Sequence, residues 1–180
     1  MGKDTPSHYP PEEFIRQAHR SFQFLRDLGF RYGGAGSEEG DISESFTSGQ
    51  LSVRVQYDQA SGDVDVNLIR AAEDGTFPEY LDNPDHWISL DKLVEYRQSL
   101  LGEESPHMPH FDPDVQVRFR ANQLLQNGGG LLHGDFSDWL AVRQFINDGA
   151  VAAGQAPDEA NLRAIVEADL ADGQSGQPQA

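Results

Sequence analysis

The chain has 180 residues, with 13 Lys and Arg against 30 Asp and Glu, a net charge of −17, and no cysteine. That length suits one domain with a real core, and the absence of thiols excludes disulfides, thiolate metal sites and cysteine nucleophiles. No apolar run reaches bilayer length and no Lys/Arg cluster could neutralise a phosphate backbone or a lipid surface, so a soluble cytoplasmic protein with neither nucleic-acid nor membrane partners is expected.

In chain order, residues 1–9 read as a flexible N-terminus and residues 10–150 as a single domain. The first element runs from Pro11 to Leu28, where Phe14, Ala18, Phe22, Leu25 and Leu28 recur at helical spacing. Pro10 and Pro11 suit its first turn, Glu12 and Glu13 complement its positive end, and Gly29 followed by Phe30 reads as its stop. The next stretch, FRYGGAGSEEGD, is broken by glycine and predicts a mobile loop or a loose hairpin. From residue 45 to 71 the period changes to two. Leu51, Val53, Val55 and Tyr57 share one face, and after the turn QASG so do Val64, Val66 and Leu68. Pairing Tyr57 with Val64, Val55 with Val66 and Val53 with Leu68 puts all six on the core side and leaves a wet, acidic face. Ile42–Phe46 and His86–Ser89 are candidate flanking strands, giving a meander of three to four.

Ser89 caps a predicted helix, LDKLVEYRQSLL, ended by Gly102, and Asp112 with Pro113 opens another that stops at Gly128–Gly130. Asp135 is placed at the start of a further helix reaching Gly149. A weak helical pattern falls in 151–170, and 171–180 reads as a disordered tail. Helix, then sheet, then three to four helices packed on one face describes an α+β domain.

The acid is concentrated: residues 31–115 carry 5 basic and 18 acidic side chains. Such a zone repels phosphate and attracts basic partners. The usage of 11 Arg and 2 Lys also fits a GC-rich genome or a halophile, where acidity would serve solubility alone. Within the zone, Phe77, Tyr80 and Trp87 stand among Asp82 and Asp85 and near the strand acids Asp63 and Asp65. Aromatic anchors rimmed by acid suit an interface with a basic protein; the competing reading is that they fasten a long loop to the core.

His107, His110, Asp112 and Asp114 fall within eight residues and supply nitrogen and oxygen donors. Pro106, Pro109 and Pro113 prevent a helix that would align the histidines, so a solvated loop with Asp112 as a cap competes with a metal site. Asp63 and Asp65, with Glu44 and Asp58 near, could hold a divalent ion, but alternation alone puts acids on a wet strand face. The run GGAG lacks the Gly-Lys-Ser/Thr ending of a phosphate cradle and meets Glu38 and Glu39. His133, Asp135 and Ser137 have the residue types of a hydrolase triad but lie two apart at a helix start. No catalytic residue and no cofactor are assigned.

The helix ending LRDLGF, the hairpin VRVQYDQASGDVDVNLI, the helix ISLDKLVEY and the late LLHGDFSDW together resemble small acidic bacterial immunity-type proteins associated with polymorphic toxins. The resemblance implies a cytoplasmic protein that blocks a toxin domain by tight binding, without catalysis; the acidic zone adds that this partner would be basic. It transfers no binding residue.

Overall fold

A computed structural model describes residues 9–38, 40–80, 82–103 and 112–153. The order is α1 (Pro11–Ser21), α2 (Phe24–Asp27), β1 (Arg31–Glu38), β2 (Asp41–Thr47), β3 (Leu51–Asp58), β4 (Val64–Arg70), a single 3-10 turn (Pro84–His86), β5 (Trp87–Ser89), α3 (Leu90–Leu101), α4 (Pro113–Asn127), α5 (Gly129–Leu132) and α6 (Trp139–Ala152). The five strands form one antiparallel meander in the order β1-β2-β3-β4-β5. Mixed α+β architecture is therefore as expected, with one strand more than the alternation predicts.

The first helix is not continuous. It breaks at Phe22–Gln23, which lets Phe22, Leu25 and Phe30 all reach the core at 0%, 0% and 4% exposure. After α2 the chain turns through Gly29, at φ +88°, with Gly29 N donating to Arg26 O and Phe30 N to Leu25 O. That is a Schellman motif carrying the expected hydrophobic contact.

The β3–β4 hairpin has the predicted register, with Tyr57 opposite Val64, Val55 opposite Val66 and Val53 opposite Leu68. The larger difference lies at the glycine-rich segment, which is strand β1 paired along its length to β2. It shows no apolar alternation because as an outer strand it buries little; residues 31–37 are exposed or half-exposed. Glycine at position 33 lets β1 approach β2 closely, since a Cβ there would lie 2.8 Å from Ser45 Oγ and 3.2 Å from Thr47 Cγ2, and those side chains would have to give way.

One face of the sheet carries the core. Ile42, Phe46, Val53, Val55, Val66 and Leu68 pack there against Phe14 and Ala18 of α1, Leu93 of α3 and Val117 and Leu124 of α4. Predicted caps are in place: Ser89 Oγ accepts from Lys92 N, and Asp112 Oδ1 from Asp114 N. Asp135 instead caps a turn through Ser137 N, and α6 begins four residues later. The weak helical pattern within 151–170 lies almost wholly outside the described residues, and the tail 171–180 entirely so.

Candidate functional site

The sheet's two edges are treated differently. Beyond the short β5, the start of β4 would present unpaired backbone, which proteins avoid leaving bare. Here Gln116 and Arg120 of α4 close it: Val64 N donates to Gln116 Oε1 at 3.0 Å, Gln116 Nε2 to Gly62 O at 2.9 Å, and Arg120 Nε to Val64 O at 2.9 Å. Arg143 of α6 does the same for β5, donating to Trp87 O at 2.9 Å. These polar side chains are buried, at 2%, 4% and 6% exposure, because they finish the sheet. Along β1, among the described residues, the only hydrogen-bonding partner is β2.

The outer face of the sheet is polar near β1 and aromatic near β5. Over β1–β3 lies a groove of about 680 Å³ lined by Gly33, Gly36, Ser43, Ser45, Gln56 and Asp41, with Arg54 and Glu79 at its wall. Gln56 Nε2 donates to Asp41 at 2.7 Å. Arg54 adds little free positive charge, since it grips both oxygens of Glu79 at 3.2 and 3.3 Å and lies 5.0 Å over the Trp87 ring.

The residues singled out from sequence separate into two groups. Trp87 is 7% exposed and donates through Nε1 to Pro78 O at 2.7 Å, so it fastens the loop rather than presenting itself. Asp85 lies 3.3 Å from buried Arg143, and its carbonyl accepts from Trp139 Nε1. Tyr80, 55% exposed and edge-on to Trp87, and Asp82 face solvent, while Phe77 is half-buried. Asp65 is exposed, 3.8 Å from Arg120, which also binds Asp91 through two nitrogens. Partial burial pushes the Asp65 carboxyl above its ordinary range; Arg120 opposes this, and Asp91, Asp63 and Asp58 reinforce it. Arg120 thus stands between Asp65 of β4 and Asp91 of α3.

His107 and His110 lie outside the described residues. Of their predicted co-ligands, Asp112 caps α4 and Asp114 accepts the Tyr9 hydroxyl. No group of three metal-ligating side chains occurs among the described residues. Among those residues, too, no helix is long and apolar enough to cross a membrane.

Sequence reasoning missed His19 and misplaced Glu44. Glu44 does not join Asp58 and Asp65; it points to the core side between Ile42 and Phe46, fully buried, with Oε1 2.7 Å from His19 Nδ1 and Oε2 without a partner. Burial raises the Glu44 carboxyl above its ordinary range, partly offset by His19. Tyr32, 5.2 Å from the imidazole, is raised by its own burial and by Glu44. Strand parity alone places Glu44 beside Ile42 and Phe46, and that was the available signal.

The class this architecture defines is an α+β domain with a five-stranded antiparallel meander, helices on one face and a partly open outer face. No family model matches the chain, and neither a curated protein nor a solved structure is significantly similar to it.

Proposed function

We propose that the protein is a non-catalytic binding module that takes a basic protein partner on the outer face of its sheet, and that it acts in the cytoplasm as a toxin-neutralising protein of immunity type. The observation that carries this reading is the groove over β1–β3, lined by Asp41 and by the matched pair Arg54–Glu79, and continuous with the β1 edge that no other element closes among the described residues. Such an edge offers backbone hydrogen bonds to an extended segment, and Asp41 with Asp82 favours a basic one. Tyr80 and Asp82 extend the surface beyond Glu79. Asp65 and Asp85 contribute to the field, but their nearest charges are Arg120 and Arg143. Asp112 and Asp114 have structural duties, which favours partner binding over the metal-site alternative.

The test compares the wild-type protein with an Asp41→Lys/Asp82→Lys variant as baits in extract of the source cell. Wild type is expected to retain a basic protein at low salt, release it as ionic strength rises, and lose it in the variant despite an unchanged circular dichroism spectrum. Identical sets of retained proteins would contradict the proposal.

A further inference from the structure

On the helix side of the sheet, away from the outer groove, α1 and α2 expose a second concavity of about 550 Å³ lined by Ile15, Arg16, His19, Arg20, Gln23 and Arg26, with Glu12 at its rim. Three arginines and a histidine meeting on one helical surface stand out in a chain of net charge −17. Arg16 is held by Glu13 at 2.8 Å, whereas Arg20 and Arg26 are exposed and have no ion pair among the described residues.

The second observation is Glu44, which lies behind His19. A carboxylate at 0% exposure on a core position costs more than an apolar residue of the same size, and this one leaves Oε2 unpartnered. What Glu44 does is hold Nδ1 of His19. With Nδ1 fixed inward, and the ring between Tyr32 at 5.2 Å and Phe46 at 6.0 Å, the 43% of the side chain that remains exposed presents the opposite edge, carrying Nε2, to the concavity. A buried carboxylate behind an imidazole is the arrangement that orients a ligand-binding histidine.

Charge decides the ligand. A cation would meet Arg16, Arg20 and Arg26, while an anion would gain from Arg20 and Arg26 and from a proton carried on His19 Nε2. We infer that the α1–α2 concavity is a binding site for a small oxyanion of the phosphate or carboxylate class, with His19 and the two unpaired arginines as its ligands and Glu44 as a positioning residue. The site is independent of the outer-face reading.

The experiment titrates the full chain with inorganic phosphate, and separately with citrate, at constant ionic strength, following the His19 ring and arginine side-chain resonances by NMR. A saturating shift at His19 and Arg26 is expected with at least one probe, weakened about tenfold or more by Arg20→Gln/Arg26→Gln and unchanged by Lys92→Gln on α3. The arginines of the double variant are exposed, so its melting temperature should match wild type. Saturation with phosphate alone or with citrate alone identifies the class. A non-saturating shift with both, reproduced by chloride, or equal affinity in the double variant, overturns the inference.

Discussion

At the scale of single residues, Glu44 sets a pH dependence whose sign follows from its environment. Its carboxyl is raised in the folded chain, so between its unfolded and folded pKa values the native state binds more proton than the unfolded state. This contribution therefore makes stability fall as pH rises through that window and grow as pH drops towards the unfolded value. Glu44→Gln keeps an acceptor for His19 but has no proton to bind, so urea unfolding of the variant should show a flatter profile across this window. A profile identical to wild type would mean that Glu44 does not titrate there. The residue was within reach of the alternating pattern Ile42, Glu44, Phe46, yet a lone acid is more naturally assigned to a wet face. Gln116, Arg120 and Arg143 leave no such trace, because their task of closing a sheet edge depends on how far β5 extends.

The β3–β4 hairpin shows what element-scale patterns specify well: alternating apolar residues around a short turn determine register to the residue, and Ser89 and Asp112 mark helix starts through the hydrogen bonds they accept. β1 lay beyond that logic. A strand in which half the residues are glycine or serine, on an exposed edge, has no apolar face to signal itself, and its evidence is steric, in the approach of Ser45 Oγ to Gly33. Gly33→Val should force Ser45 and Thr47 aside and destabilise the protein by about 1–3 kcal/mol, the usual range for overpacking. Faster amide exchange should be confined to β1 and β2; an unchanged unfolding midpoint would show that Ser45 and Thr47 rotate aside without cost. The break between α1 and α2 was hidden for the opposite reason, since the helical period persists while backbone direction adapts to bury Phe22, Leu25 and Phe30 together.

For the whole molecule, the distribution of cations matters as much as the excess of acid. Arg120 and Arg143 are spent inside, Arg54 is bound by Glu79, and Arg20 and Arg26, which have no ion pair among the described residues, lie on α1–α2. On the outer face Glu79 is matched by Arg54 and Arg31 of β1 is exposed, so Asp41 and Asp82 are the acids near the groove with no ion pair among the described residues, beside the one long strand edge that no helix side chain closes among them. The concentration of acid was visible in the sequence; which acids remain available was not, because ion pairs such as Arg143–Asp85 join residues far apart in the chain. The most direct measurement is the association rate of the captured basic partner with wild type and with the Asp41→Lys/Asp82→Lys variant across a range of salt. Electrostatic capture on the outer face predicts a loss of about tenfold or more at low ionic strength that closes as salt is added. Equal rates at low salt would contradict it.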